Sequence, residues 1–338
     1  MHAAAPSRTA LRVALRRAAH QLHDEPPRVF DDPLAVRILG AAAAEELTRT
    51  PDAQRRPYSA ALRAWMVARS RYAEDALAQL AADGRPMQYV VLGAGLDTFA
   101  YRNPYAHVRV FEVDHPATQA WKLEKLASAN IPVPERVRHV AVDFEQQSLA
   151  EELARAGFDT HTLTMTAWLG VVPYLTVESI RTTLRVLAGF AEGSVAVFDY
   201  SQPAGVLSER EQLMQQSLAS RVALAGEPFL SFFTPDQLAV ELHSAGLARR
   251  DDVDGETLTA LYFNGRDDGL QLRGKAARIG SAMVPARRPA AAPPAPCDGG
   301  VRTTPAPQAP VETPAGKETE ERTERLPQWR HRTSIPTF

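Results

Sequence analysis

Five short apolar runs alternate with amphipathic stretches through the middle of this chain, and that alternation restricts the fold more than any other feature. The runs are MQYVVLG (87–93), HVRVFEVD (107–114), VRHVAVD (137–143), TLTMTAWLG (162–170) and SVAVFDY (194–200). They are short, rich in β-branched residues and mostly apolar on both faces, as strands covered on both sides must be. HPATQAWKLEKLASAN, QSLAEELARAG and VESIRTTLRVLAGF, which lie between them, have helical spacing. Strands alternating with helices predict an α/β fold: a mostly parallel, Rossmann-like sheet with helices on both faces, joined by right-handed crossovers. FTPDQLAVELHSAGL adds a helix whose start is marked by Thr234 as N-cap, Pro235 at the first helical position and Gln237 at the third. ARRDDV and TLTALYF are then expected to close the sheet as an antiparallel pair.

The flanks differ from this middle. Residues 1–84 read as a helical addition or lid ahead of a core spanning 85–284. FDDPLAVRILG has Asp32 as expected N-cap and Pro33 at the first helical position. In ALRAWMVARSRYAEDALAQL, Leu62, Trp65, Met66, Tyr72, Ala73, Ala76, Leu77 and Leu80 recur at helical spacing. Residues 285–338 are rich in Pro, Ala, Thr and charge with few large apolar side chains, so they are expected to form a disordered tail.

Composition narrows the function. With 338 residues, 45% of them hydrophobic, the chain can bury a substantial core. A formal net charge of −2 gives no electrostatic basis for binding nucleic acid. The single cysteine, Cys297, excludes an intramolecular disulfide and a Cys metal cluster, and no histidines pair at HxxxH or HExxH spacing, so no metal site is expected. The basic N-terminus lacks the apolar core of a signal peptide; its arginines leave a transit peptide as an alternative. No run approaches the ~18 apolar residues of a membrane span, and the default expectation is a cytoplasmic protein without a membrane partner.

Candidate binding residues cluster at the carboxyl ends of the expected strands, where open α/β sheets bind ligands. Gly93 and Gly95 follow the first strand in VVLGAGLDTFAYR and allow close backbone approach. A dinucleotide fingerprint would place a third glycine at 98, where this chain has Thr98. Asp114 lies nineteen residues after Gly95, near the offset at which a carboxylate accepts ribose hydroxyls; the alternative is that it caps the following helix. Glu112, two residues earlier on the same strand face, is the second-choice ribose ligand. Asp143 could accept an adenine amino group with Phe144 flanking the ring, or act as a turn aspartate. Arg69 falls inside the apolar stripe of the 62–80 helix. A buried guanidinium needs a carboxylate, and S-adenosylmethionine carries one whereas NAD does not; the alternatives are an internal Asp or Glu and a snorkelling side chain.

Taken together, the blocks VFDDPLAVRILG, ARSRYAEDAL, YVVLGAGLDTFAYR, FEVDHPATQAWKLEKL, HVAVDFEQQSL, WLGVVPYLT and VAVFDY resemble the leucine carboxyl methyltransferase family, specifically its bacterial branch of S-adenosylmethionine-dependent O-methyltransferases. The blocks are collinear over roughly residues 10 to 265. The resemblance implies a class I methyltransferase fold whose helical N-terminal addition shapes the substrate pocket. It also implies that Arg69 holds the methionine carboxylate, that Gly93 and Gly95 lie against the methionine and ribose, that Asp114 binds ribose hydroxyls, and that Asp143 and Phe144 bind adenine. Much of the family has Glu-Gly ahead of the YL motif, where this chain has Leu169-Gly170. Trp168, just before, could face the sulfonium by cation–π attraction or pack in the core.

The expected activity is therefore S-adenosylmethionine-dependent methylation of a carboxylate or hydroxyl, with a small-molecule acceptor. A protein C-terminal carboxylate, the family's eukaryotic substrate, has no support in this sequence. A carboxylate acceptor, with pKa about 4, needs no general base, whereas a hydroxyl would. Tyr174, just after the fourth strand on the expected cofactor side, could orient an incoming oxygen or be a packing residue, and His115 and Tyr200 are positional candidates for a base. The rival readings are an NAD-dependent Rossmann oxidoreductase, which lacks its third glycine and a Tyr-x-x-x-Lys, and a catalytically silent S-adenosylmethionine-binding protein.

Overall fold

The structure, a computed structural model, describes residues 7–143 and 146–286. Five helices come first: α1 (Arg8–His23), α2 (Ala35–Leu39), α3 (Ala41–Arg49), α4 (Pro51–Arg55) and α5 (Pro57–Ala81). The alternating middle follows as β1 (Met87–Leu92), α6 (Phe99–Arg102), β2 (Val108–Asp114), α7 (Pro116–Ser128), β3 (Val137–Ala141), α8 (Leu149–Arg155), β4 (Thr164–Trp168), α9 (Val177–Ala188) and β5 (Val195–Ser201). After it come α10 (Glu209–Ala223), α11 (Pro235–Ser244), β6 (Ala248–Val253), α12 (Gly255–Tyr262) and β7 (Ala277–Met283).

Among the described residues, seven strands form one sheet in the order β3-β2-β1-β4-β5-β7-β6. β1 to β5 are parallel, and β7 runs antiparallel to both β5 and β6. This is the α/β class I methyltransferase sheet. β1 leaves in one direction to β2 and β3, and the chain later returns to its other side as β4. The crevice beyond the carboxyl ends of β1 and β4 is thus the topological switch point.

Alternation along β1 supplies both cores. Tyr89 and Val91 pack on one face with Val67, Ala68, Tyr72 and Leu77 of α5. Val90 and Leu92 pack on the other with Ile180, Leu184 and Leu187 of α9 and Leu238 and Leu242 of α11. α11 opens on the expected capping box, Thr234 with Gln237 and Pro235 at the start.

Three expectations are corrected. TLTALYF is helical through Tyr262, within α12, with Phe263 as its C-cap, because the Asp254 side chain accepts the Thr257 amide and starts a helix that buries Leu258. The partner of β6 is instead β7, ARIGSAM, whose small residues gave little apolar signal. Asp32 is not the assigned N-cap of α2, which is Leu34, although its Oδ1 accepts the Leu34 amide at 3.2 Å in the turn that leads into the helix. Its main partners are internal, since it is fully buried and bonded to Arg17 Nη2 at 2.7 Å and to Thr98 Oγ1 at 2.7 Å. On α5 the first half of the buried face is Arg63, Ala64, Val67 and Ala68 rather than Leu62, Trp65 and Met66, which are only half-buried. The proposed tail, including Cys297, lies outside the described residues from 287 onward. No helix among the described residues is long and apolar enough to cross a membrane.

Candidate active site

The loop after β1 bends at Gly93 (φ +70°) and Gly95 (φ +46°), in the left-handed region that favours glycine. A Cβ at Gly93 would lie 2.3 Å from a methyl of Val171, and one at Gly95 would lie 3.0 Å from Ala10 Cβ. Thus the loop after β4 and the first turn of α1 both close on this loop. The Gly93 and Ala94 amides donate to Val113 O at 2.8 and 3.1 Å, tying the loop to the end of β2. Thr98 is buried, and its hydroxyl points into the Arg17–Asp32 pair. A side chain so placed is not the close helix–strand contact that the third fingerprint glycine provides.

Asp114 ends β2. One of its oxygens accepts the Gly95 amide at 2.6 Å and the other accepts the His115 amide at 2.7 Å. Burial raises its carboxyl above the usual carboxylate range, against the opposing effect of those two amides and Lys122. The helix cap of α7 is His115, whose Nδ1 accepts the Ala117 amide, so Asp114 does not cap this helix and the His115 ring is engaged in the cap rather than free to act as a base. Asp143 lies next door: Val142 N donates to Asp114 O at 2.9 Å. Gln146 Nε2 donates to Asp143 Oδ2 at 3.0 Å. Phe144 lies outside the described residues.

Glu112 does not join this group. It is 1% exposed, bonded to Lys122 Nζ at 2.8 Å and to the Tyr101 hydroxyl at 2.7 Å. Both oxygens are engaged by internal partners, so Glu112 is not a ribose ligand. Trp168 is also corrected. It is 1% exposed and packs edge-on against Phe198, with ring centroids 6.3 Å apart, in the α9 face of the core. β4 is buried on both faces, and the parity of Trp168 sends it away from the cleft; Leu169 packs on the opposite, α5 face.

Arg69 is buried, and its carboxylate is internal. Nη1 donates to Asp199 Oδ2 at 2.8 Å, and Asp199 Oδ1 accepts the Gly170 amide. Arg69 therefore does not require an external carboxylate. Its location nonetheless stays in the crevice, since Asp199 is at the carboxyl end of β5 and Gly170 follows β4. A Cβ on Gly170 (φ +72°) would lie 2.7 Å from Arg69 Nη2, so any larger residue would be strained here and would push the guanidinium aside. Among the described residues Nη2 makes no hydrogen bond.

Tyr174 ends a short 3-10 turn, Val172–Tyr174, with its ring 5.2 Å from that of Phe229. Burial pushes its phenol up to about 12, reinforced by Glu227 and Asp199 and opposed by Arg69 and a hydrogen bond with Thr9. The hydroxyl is neutral at neutral pH: a hydrogen-bonding group and not a base. Tyr200 is no base either, because its buried hydroxyl donates to Asp252 at 2.6 Å.

Three members of this cluster were not singled out in the sequence. Asp199 had a signal, a lone acid at the end of the apolar run SVAVFDY, the same pattern that marked Asp114 and Asp143. Thr9 and Glu227 had none: they are 218 positions apart, and Glu227 accepts the Thr9 amide at 3.1 Å.

A family model described as leucine carboxyl methyltransferase matches residues 10–188. That span holds the candidates from Arg69 to Tyr174, while Asp199 and Glu227 lie beyond it. The Bacillus subtilis protein YktD, whose name assigns it provisionally to the S-adenosyl-L-methionine-dependent methyltransferases, is 31% identical over 287 residues, which is 78% of this chain and 93% of YktD. A Parafrankia protein given the same provisional assignment, Franean1_4929, is 36% identical over 182 residues, 52% of this chain and 57% of that protein. Among solved structures, a DUF574 family protein from Streptomyces avermitilis matches with a TM-score of 0.51 at 19% identity, over 83% of this chain and 98% of that one, a likeness of fold.

Proposed function

We propose, from the premise that this chain belongs to the leucine carboxyl methyltransferase family and is an S-adenosylmethionine-dependent methyltransferase, that it methylates an oxygen, carboxylate or hydroxyl, of a small molecule. The observation that carries this reading is the pair of groups flanking the switch point. On one side stands the Asp114 carboxylate on the glycine loop, and on the other the Arg69 guanidinium against Gly170.

The donor set fits the cofactor chemically. Arg69 would hold the methionine carboxylate through the nitrogen not bonded to Asp199. Asp114 retains acceptor capacity beyond its two amide bonds, since a carboxylate has about four lone-pair positions, and would accept the ribose hydroxyls. Asp143, beside it, would accept the adenine amino group. The bound cofactor supplies an electrophilic methyl group on a sulfonium. The protein's own contribution is mainly positioning. Tyr174, fixed between Phe229 and Thr9, would orient the acceptor oxygen by its hydroxyl. With that phenol neutral, a carboxylate acceptor, already ionised, is the simpler substrate.

Calorimetry with S-adenosylmethionine and NAD side by side tests the cofactor. Labelled cofactor with a panel of small acids and hydroxylated compounds then tests the acceptor: base-labile label marks an ester and base-stable label an ether. Saturable cofactor binding with no transfer to any acceptor in a cell extract would instead favour a silent binder.

A further inference from the structure

Arginines buried elsewhere in the molecule have carboxylate partners: Arg17 has Asp32 and Asp97, Arg63 has Asp24, Arg69 has Asp199 and Arg102 has Glu74. One half-buried arginine departs from this pattern: Arg16 on α1 has no carboxylate within ion-pair distance among the described residues, and neither do its exposed neighbours Arg12 on α1 and Arg221 near the end of α10. Arg16, half-buried, donates only to Ser59 O at 3.3 Å. Burial holds it below the usual guanidinium range; Arg63, Arg221 and Arg12 push the same way, and Tyr58 alone opposes them. Arg221 lies over the Tyr58 ring, 4.4 Å from its centroid. The Tyr58 hydroxyl is buried and has no hydrogen-bond partner among the described residues. Cations gathered without an acid, beside an unsatisfied buried hydroxyl, are what an absent anion would complete.

The cluster is continuous with the site. Thr9, Arg12 and Arg16 share one face of α1, at spacings of three and four residues. The segment after α10 follows that face. Arg12 donates to Arg221 O at 3.4 Å, Glu227 accepts the Thr9 amide, and Phe229 packs on Tyr174. Arg16 lies seven positions along α1 from Thr9, about 10 Å of rise.

We infer that Arg16, Arg221 and the Tyr58 hydroxyl form a distal subsite for an anionic group, carboxylate or phosphate, carried by the methyl acceptor at its end remote from Tyr174, with Arg16 about 10 Å of helical rise along α1 from Thr9. The inference rests on the methyltransferase reading for its link to the acceptor, but the anion site stands on its own residues. It defines the substrate class as a small molecule bearing an anion at the end remote from the methylated oxygen.

The test titrates inorganic phosphate in one arm and acetate in the other, at constant ionic strength, into the full chain, with calorimetry and thermal shift as readouts. Wild type, Arg16→Gln and Tyr58→Phe are compared, and S-adenosylmethionine affinity is measured for each. The expected result is saturable binding of at least one anion, weakened tenfold or more in Arg16→Gln and severalfold in Tyr58→Phe, with cofactor affinity unchanged within twofold. The stronger arm identifies phosphate or carboxylate. Weakening in either variant supports the subsite; no saturable binding by either anion, or binding unaltered in both variants, overturns it. Failure of the methyltransferase reading would appear separately, as absent cofactor binding in the wild type.

Discussion

Asp114 and Gly95 are nineteen residues apart in the chain and 2.6 Å apart in space, the carboxylate accepting the loop amide. One side chain thereby holds the glycine loop and faces the crevice. Asp114→Ala removes the acceptor of two amides and is expected to cost about 1–3 kcal/mol of stability and at least tenfold in S-adenosylmethionine affinity. Asp114→Asn keeps one carbonyl acceptor, so it should lose less stability than the alanine variant while still losing affinity. Urea unfolding and calorimetry on the same preparations check both parts. Unchanged affinity in both variants would remove Asp114 from the cofactor site.

Arg69 and Gly170 allow charge and geometry to be separated. Arg69→Ala strands Asp199 in a buried position and should destabilise by about 3–5 kcal/mol as well as weaken cofactor binding. Gly170→Ala changes no charge but puts a methyl group against the guanidinium at a positive φ. It is expected to weaken binding severalfold, with a smaller stability loss of order 1–3 kcal/mol. Cofactor affinity equal to wild type in Arg69→Ala, measured on folded protein, would contradict the assigned role.

Tyr174→Phe removes one hydroxyl from a ring held by Phe229. The methyl-transfer rate should fall by up to roughly 100-fold, as for a misplaced reactant, while cofactor affinity stays constant. Because the phenol is pushed up to about 12, the wild-type rate should show no inflection from Tyr174 between pH 6 and 10. A stopped-flow or single-turnover pH profile with a cognate acceptor is the measurement.

Asp97 links the glycine loop to α1 through Arg17. Burial acts to raise its pKa, but Arg17, with Lys122, Arg102 and the Phe99 amide, outweighs that and depresses it. A carboxyl lowered on folding contributes stability above its unfolded pKa of about 4 and loses it as pH falls through the lower folded value. Wild-type stability should therefore decline below pH 4, and Asp97→Asn should flatten part of that decline. Equal pH dependence in the two proteins would show that the pair contributes nothing.

Asp32→Ala tests the other half of this junction. The residue is fully buried beneath Arg17 and Thr98, so its loss leaves a buried guanidinium short of a partner. A cost of about 3–5 kcal/mol is expected, read as a shift of the urea midpoint at unchanged slope. A helix-capping role would have cost nearer 1 kcal/mol.

Much of the fold was legible because its signals are local. The five parallel strands declared themselves by length and two-sided apolarity, and Thr234, Pro235 and Gln237 by a capping pattern that operates within one turn. β7 was not legible: ARIGSAM lies between two strands, and its small residues are favoured there by packing rather than by propensity. TLTALYF misled for the converse reason, its β-branched residues being overridden by the Asp254 cap.

The sequence by itself determined the order of strands and helices, the glycine loop at the carboxyl end of β1, and the placing of Asp114 and Asp143 at the ends of β2 and β3. These follow from periodicity and fixed offsets along the backbone. Only the tertiary structure decided which of the candidate side chains reach the crevice. Arg69 meets Asp199 across 130 positions, Glu112 turns inward to Lys122, and Trp168 enters the core beside Phe198. Ion pairing and core packing act through space between elements far apart in the chain. On strands covered on both faces, apolarity does not say which neighbour a side chain will find.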